Sequence, residues 1–327
     1  MIFQRNVKLS TYSNYKIGGA ARYFCAPMSA DEIIAALKEW RKVKRKNRDI
    51  FILGGGTNLL INDGGFDGLV IKPAVQHLSA DETKIRVGSG MLMRELVDFA
   101  AIHGLAGLEW AGGLPGTVGG AIRGNAGAFG GETKDAIFEV ASLNIKNKEP
   151  RLMKRMANEC AFGYRNSIFK INDGEEIILT ATLQMKTGDP AVIARTVAEK
   201  IRYREERHPM DYPNIGSIFK NVPVAQIYAE RTRNYAEALR KSAFSLRGLA
   251  IPVKNDPFPV VPAAYLIAQS GVKGVSYGGA MISPKHPNFI VNVLDASADD
   301  VKSLIKLVKS QVKKKFGITL EEEVIYV

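Results

Sequence analysis

Cysteine is almost missing from this chain: of 327 residues only Cys25 and Cys160 carry a thiol. They stand far apart, each in apolar company, so both read as buried, reduced thiols from which no metal site can be assembled. Histidine is nearly as scarce. His77, His103, His208 and His286 show no metal-ligand spacing, and no metal is expected. No apolar run reaches about 18 residues, and the amino terminus has no signal-peptide core. A soluble, cytoplasmic protein without membrane insertion is therefore expected. Also missing are the Gly-Lys-Ser/Thr of a Walker loop, a Gly-x-Gly-x-x-Gly opening a long helix, a Gly-x-Ser-x-Gly elbow and any internal repeat. A P-loop enzyme, a doubly wound dinucleotide fold and a nucleophilic serine are not indicated.

Basic charge is in excess. Lys and Arg number 45 against 33 Asp and Glu, a net charge of +12, which calls for an anionic partner, either nucleic acid or a nucleotide-bearing substrate. The densest basic run, Arg41 to Arg48, follows a helix-like stretch that opens with the capping-box pattern Ser29-Ala-Asp-Glu32. Cations at a helix C-terminus are favoured by its dipole, and no aromatics interleave with them as a single-strand stacking surface requires. The run reads as a solvated helix end, and no nucleic-acid partner is expected.

Glycine is concentrated in two places. Residues 111–131 hold nine glycines in twenty-one positions, punctuated by Leu114, Val118, Ile122 and Phe129. A disordered linker would be polar throughout, so this segment reads as packed. Packed backbone with few side chains presents its own N–H groups, as a cradled diphosphate needs; tight turns and bulges in a β region are an equal reading on glycine content alone. The second cluster, Leu53-Gly-Gly-Gly-Thr-Asn-Leu-Leu60, follows a short apolar strand and leads into another. Thr57 and Asn58 add side-chain hydrogen bonds for phosphate oxygens. Two such loops in one chain suit a large, extended dinucleotide.

With 46% apolar residues the chain can bury a substantial core in two or three domains. Helical periodicity is found at 31–43, 91–103, 190–206 and 299–315, the last between Ser297-Ala-Asp-Asp300 and Gly317. Strand-like segments are Phe51–Leu53, Leu69–Lys72, Lys84–Gly88, Phe138–Ile145, Glu176–Lys186, Phe289–Val293 and Glu323–Val327. Their mixing without regular alternation predicts an α+β fold. Residues 1–72, with the terminal strand 316–327 returning to them, form one lobe; 73–206 form a second and 207–315 a third.

Three further segments carry chemistry-bearing side chains. Pro213 and Gly216 bracket a turn that presents Ser217 at the start of an apolar strand, with Lys220 and Asn221 following. A turn or strand-cap serine is the plain alternative for Ser217. Arg165, between Tyr164 and an apolar run, reads as partly buried and in need of a carboxylate or phosphate partner. A structural ion pair is its plain alternative. The acidic tail Glu321-Glu-Glu323 is odd in a basic protein, and solvation is the ordinary reading of such a tail.

Taken in order, these pieces resemble the UDP-N-acetylenolpyruvoylglucosamine reductase family of bacterial cell-wall synthesis. They are Asn14-Tyr-Lys-Ile-Gly-Gly-Ala20, Leu53-Gly-Gly-Gly-Thr-Asn-Leu-Leu60, Leu114-Pro-Gly-Thr-Val-Gly-Gly-Ala121 with Gly124-Asn-Ala-Gly127, and Tyr164-Arg-Asn-Ser-Ile-Phe-Lys170. Pro213-Asn-Ile-Gly-Ser-Ile-Phe-Lys-Asn221, Leu266-Ile-Ala-Gln-Ser-Gly271, Ser283-Pro-Lys-His-Pro-Asn-Phe-Ile290 and Leu320-Glu-Glu-Glu-Val324 complete the set. Any one piece is weakly specific; the ordered set, spanning nearly the whole chain, is highly specific. Asn14 and Ile215 stand where the family more often has Thr and Ala, and Ile325 where it commonly has Arg.

The resemblance implies a two-lobed FAD-binding domain of the p-cresol methylhydroxylase/vanillyl-alcohol-oxidase type and a C-terminal α+β substrate-binding domain. The implied activity is NADPH-dependent, FAD-mediated reduction of the enolpyruvyl ether of UDP-N-acetylglucosamine enolpyruvate to UDP-N-acetylmuramate. The implied catalytic residues are the proton donor Ser217, Arg165 and Glu323. Substrate contacts carry over to Tyr164, Arg207, Lys220, Asn221 and Gln269. The flavin loops carry over to Gly54, Gly55, Gly56, Thr57, Asn58 and Leu59, and to Gly113, Pro115, Gly116, Thr117, Gly119, Gly120, Ala121, Asn125 and Gly127. No histidine stands in either loop, so FAD is expected without a covalent bond, in a monomer with NADPH as co-substrate. Residues 222–262, basic through Arg231, Arg233, Arg240, Lys241 and Arg247, look like an insertion and are expected to be a surface excursion rather than a cap over the UDP pocket. The competing readings are a related FAD-dependent sugar or hydroxy-acid oxidase or dehydrogenase, and a basic nucleotide- or nucleic-acid-binding module without catalysis.

Overall fold

The structure is a computed structural model that describes residues 3–44, 49–229, 243–246 and 249–327. The chain folds into two compact units. One comprises residues 1–12, 19–56 and 64–204; the other comprises 13–18, 57–63 and 205–327. Both mix helices with short sheets, the α+β class read from the sequence.

The first unit is built on two main sheets, and the core around the helix Ala30–Lys42 draws residues from both. A four-stranded sheet runs in the order Gln4–Lys8, Ala20–Cys25, Phe66–Ile71, Ile50–Ile52, antiparallel in the first pair and parallel in the others. The helix Ala30–Lys42 covers it with Ile33, Ala36, Leu37 and Trp40. That helix begins where the capping pattern places it: Ser29 Oγ accepts from the Glu32 amide at 3.2 Å, and Glu32 accepts from the Met28 amide at 2.8 Å. Of the basic run that follows, Arg41 donates to the carbonyls of Asn147 and Lys148, and Lys42 pairs with Glu39. Residues 45–48 lie outside the described residues.

A five-stranded antiparallel sheet follows, in the order Arg151–Met156, Ile137–Asn144, Glu176–Gln184, Lys84–Gly88, Leu78–Asp81. The helices Met93–Ile102 and Val118–Gly124 pack with it around a core that includes Leu96, Val118, Ile122, Val140 and Phe169. Both cysteines are buried, and burial pushes the Cys25 and Cys160 thiols up to about 12 and about 11, so neither is a nucleophile at neutral pH.

The second unit is organised by the long helix Ala298–Phe316, whose Val301, Leu304, Ile305, Val308 and Val312 line one face of its core. The three-stranded sheet Ser276–Tyr277, Ala280–Ile282, Ile290–Asn292 packs against it. The described parts of 222–262 are not a surface excursion: Val222, Val224, Ile227, Ile251 and Val261 are all buried in this core, and the pairing of Val222–Pro223 with Pro259–Val261 closes it. Alternate burial of β-branched residues, not the run's overall basicity, decides where this stretch lies. Arg231, Arg233, Arg240, Lys241 and Arg247 lie outside the described residues. Among the described residues no helix is long and apolar enough to cross a membrane, and no His, Cys, Asp and Glu cluster could hold a metal.

The capping box of the long helix gives a pH prediction. Asp300 accepts from the Ser297 amide at 2.9 Å and the Gly279 amide at 3.2 Å, while Ser297 Oγ accepts from the Asp300 amide. The Ser297 amide, then that of Gly279, holds the Asp300 carboxyl below the usual aspartate range. With the folded pKa depressed, this stabilisation is present above the unfolded value, about 4, and is lost as pH falls through the folded one. Ser297→Ala is expected to cost about 1 kcal/mol in urea unfolding at neutral pH. Asp300→Asn is expected to flatten the acid limb of stability, and an unchanged acid limb would contradict the assignment.

Candidate active site

In the first unit the two glycine clusters meet backbone to backbone. A Cβ on Gly55 would lie 2.6 Å from Gly116 Cα and 3.0 Å from the Thr117 nitrogen; one on Gly54 would lie 3.1 Å from Thr117 Oγ1. The chain reaches this contact through positive φ at Gly56 (66°) and Gly116 (110°), a conformation that glycine adopts at no steric cost. Gly119 packs as tightly on the other side, where its Cβ would meet Ser89 Cβ at 2.9 Å. Gly113, also at positive φ, lies against Arg204, whose Nε donates to the Gly112 carbonyl at 2.8 Å. Arg204 also stands over the Phe129 ring at 5.1 Å. The sequence did not single out this arginine; only the register of the Pro190–Arg207 helix brings it to the glycine loop.

Within the glycine-rich segment is a short helix, Val118–Gly124, where the composition indicated a packed segment presenting its amides, or tight turns and bulges. Thr117 is its N-cap, its hydroxyl accepting from the Gly120 amide, and Asn125 ends it at φ 42°. Glycine is a poor helix former, so this helix is held by burial of Val118, Ala121 and Ile122 and not by propensity. Among the described residues, the amides of Gly54, Gly55 and Gly56 are paired with no protein acceptor. Paired glycine loops with no intervening side chain and a run of such amides fit the close approach of a dinucleotide diphosphate. The side chains of Thr117 and Asn125 are both engaged inside the fold, so in this cradle the backbone is the principal donor.

Arg165 lies in the same unit, at the tip of a tight turn. The amide of Gly163 donates to the Asn166 carbonyl at 3.0 Å, and that of Asn166 to the Gly163 carbonyl at 3.1 Å. Between them Arg165 takes φ 55°, in the left-handed region that non-glycine residues rarely occupy. Its guanidinium donates to the Gly127 carbonyl at 2.9 Å and lies 5.3 Å from the Tyr164 ring centroid. Gly127 belongs to the glycine cluster at 111–131, so the structure brings this arginine to that cluster, and both Arg165 and Tyr164 are half-buried.

In the second unit Ser217 is half-buried at a turn built by asparagine. Asn214 accepts from the Gly216 amide at 3.0 Å and donates to the carbonyls of Pro209 and Tyr212; Gly216 takes φ 80°. The regular strand expected after Ser217 is replaced by a single bridge, Phe219 to Glu322. The acidic tail therefore runs antiparallel beside Ser217: the Glu323 amide donates to the Ile218 carbonyl at 2.8 Å, and the Lys220 amide to the Glu321 carbonyl at 2.9 Å. Glu323 is thus opposite Ile218, one position from Ser217, and half-buried instead of solvated.

Asn58 holds the same tail. Its Nδ2 donates to the Glu323 carbonyl at 3.0 Å, its carbonyl accepts from the Ile325 amide, and Leu59–Leu60 pairs in parallel with Ile325–Tyr326. The side of Phe219 away from the tail is held by Asn288, which accepts from the Phe219 amide at 3.0 Å and donates to its carbonyl at 2.9 Å. Asn214 and Asn288 were missed by sequence reasoning, although both stand inside the quoted motifs; a buried asparagine that satisfies backbone groups gives no local pattern of its own.

The other expected contacts are spread over this unit. Lys220 pairs with Glu321, and Asn221 Oδ1 accepts from the Ala263 amide at the start of the helix Ala263–Gln269. Gln269 is at the far end of that helix, roughly 9 Å along its axis, where its carbonyl accepts from Lys315. Arg207 is exposed at the end of the Pro190–Arg207 helix.

Residues 21–144 match the FAD binding domain family, and residues 208–327 match the C-terminal domain of UDP-N-acetylenolpyruvoylglucosamine reductase. The UDP-N-acetylenolpyruvoylglucosamine reductase of Solibacter usitatus is 34% identical over 319 residues, covering 98% of this chain and 95% of that protein. That of a Synechococcus strain is 34% identical over 327 residues, covering 99% and 92%. The crystal structure of the Thermus caldophilus enzyme is similar at a TM-score of 0.73, with 29% identity and 99% of each chain covered. FAD is the cofactor that the first match carries, and the paired glycine loops lie largely within its span. The chain belongs to the UDP-N-acetylenolpyruvoylglucosamine reductase family.

Proposed function

We propose that this chain reduces the enolpyruvyl ether of UDP-N-acetylglucosamine enolpyruvate to UDP-N-acetylmuramate, with NADPH as reductant, as a cytoplasmic monomer. Full-length membership of the reductase family supports the reaction. The observation that carries the residue assignments is the tail pinned beside Ser217, because an acidic segment held against a buried turn has a role that a solvated one lacks. In this reading 1–72 and 73–206 are the flavin lobes and 207–315 the substrate domain, with the terminal strand returning to Leu59–Leu60.

When bound, FAD would supply the hydride chemistry that links NADPH to the methylene carbon of the enolpyruvyl group. Gly54, Gly55, Gly56 and the loop from Gly113 through Gly120 would hold its diphosphate through backbone amides. Addition of hydride breaks the carbon–carbon double bond and leaves negative charge on the adjacent carbon and its carboxylate. Arg165, a permanent cation pinned by its turn, stabilises that charge. Ser217 Oγ gives its proton to the carbon, which completes a lactyl ether, and recovers one from solvent. Glu323 orients the group being protonated, and Lys220, with Tyr164, Arg207, Asn221 and Gln269, holds the UDP-sugar, its ammonium offsetting phosphate charge.

The direct test is NADPH consumption by the flavin-loaded protein with and without the enolpyruvyl sugar. Consumption is expected to require the sugar and to yield the lactyl ether. Consumption indifferent to it would overturn the substrate assignment in favour of an oxidase.

A further inference from the structure

Arg165 is not held by its own turn alone. Three hydrogen bonds lace the segment 163–167 to the end of the glycine-rich helix and the residues just after it. Ser167 Oγ donates to the Arg123 carbonyl at 2.7 Å, Asn125 Nδ2 donates to the Gly163 carbonyl at 2.9 Å, and Arg165 donates to the Gly127 carbonyl at 2.9 Å. Ser167 is completely buried. The carbonyl it reaches belongs to the last turn of the Val118–Gly124 helix, where backbone acceptors have no partner within the helix. Ser167 is also the N-cap of the short helix Ile168–Ile171, accepting from the Lys170 amide at 3.3 Å. Lys170 in turn donates through Nζ to the Arg165 carbonyl at 2.9 Å. One hydroxyl therefore fixes both the helix after the arginine and its distance from the glycine loop.

We propose that Ser167 is a positioning residue for Arg165, fixing the guanidinium relative to the flavin-binding loop through the Arg123 carbonyl. The proposal rests on the role given to Arg165 above. A displaced guanidinium still binds the product-side carboxylate but meets developing charge poorly, so the cost falls on the sugar step and spares flavin reduction.

The test follows both half-reactions in the flavin-loaded full chain: bleaching of the flavin by NADPH, and recovery of its colour on addition of the enolpyruvyl sugar. Ser167→Ala is expected to slow recovery roughly tenfold with bleaching unchanged. Ser167→Thr, which keeps donor and acceptor, is expected to restore the rate. Combining Ser167→Ala with Arg165→Lys is expected to slow recovery no further than Arg165→Lys alone, since both changes remove one interaction. Should Ser167→Ala fail to fold, Ser167→Cys, with its weak S–H donor, is expected to give the same pattern. Normal recovery in Ser167→Ala beside slow recovery in Arg165→Lys overturns the proposal alone. Equal slowing of both half-reactions, or full additivity in the double variant, also overturns it. Normal recovery in Arg165→Lys overturns the arginine reading itself, and this proposal with it.

Discussion

Replacing Ser217 by alanine is expected to leave reduction of the flavin by NADPH intact while slowing turnover of the enolpyruvyl sugar by roughly 10²- to 10⁴-fold, the usual worth of a positioned proton donor. The turn should survive the change. Its geometry is set by Asn214 and by positive φ at Gly216, and the following backbone by Asn288 and by the tail at Glu321 and Glu323. Thermal stability is therefore expected to match that of the unaltered protein, which separates chemistry from folding. Serine is a weak acid, so the effect is also expected to be partly relieved in Ser217→Cys, whose thiol gives up its proton more easily. Single-turnover measurement of the two half-reactions decides the matter. Equal loss in both would mean that Ser217 shapes the flavin site instead of delivering a proton.

A larger change in cofactor content is expected at Gly55. A methyl group there would be 2.6 Å from Gly116 Cα and 3.1 Å from the Gly116 carbonyl carbon. These are backbone atoms that cannot swing aside, so the two glycine loops must part. Overpacking of this kind costs about 1–3 kcal/mol, and the amide cradle opens with it. Gly55→Ala is expected to be purified largely without yellow colour and to melt early. Gly124 is the control: it ends the short helix, and a Cβ there would meet nothing within 4 Å. Gly124→Ala is expected to keep its flavin and to be neutral or slightly stabilised, because alanine is the better helix former. Retention of full flavin by Gly55→Ala would show that the Gly55–Gly116 contact does not hold the cofactor.

Capped and periodic elements are legible in the sequence. The helix expected at 299–315 is Ala298–Phe316, between a reciprocal Ser297–Asp300 box and a left-handed Gly317. The helix expected at 190–206 is Pro190–Arg207, and the strand expected over Phe138–Ile145 is Ile137–Asn144. Side-chain hydrogen bonding, the helical repeat and strand alternation act over a few residues, so they are written locally. The helix Val118–Gly124 was hidden for the opposite reason. Its glycines disfavour helix, and contacts with distant residues such as Ser89 and Met91 help hold it.

The candidate site was legible as a set of residue types but not as an arrangement. Glycine spacing announced close backbone approach, and the ordered motifs announced the family. That Thr117 and Asn125 spend their side chains on the protein, that Arg165 is strained and tied to Gly127, and that Asn288 holds Phe219 from behind could not be read from those motifs. Hydrogen-bond partners separated by tens of residues are chosen by packing, which no local pattern encodes. The sequence by itself determined where this chain turns, caps and alternates, and which family it belongs to. Tertiary structure alone decided that an acidic tail is pinned beside a serine turn and that Val222, Val224, Ile227, Ile251 and Val261 feed a core, because burial is a property of the folded whole.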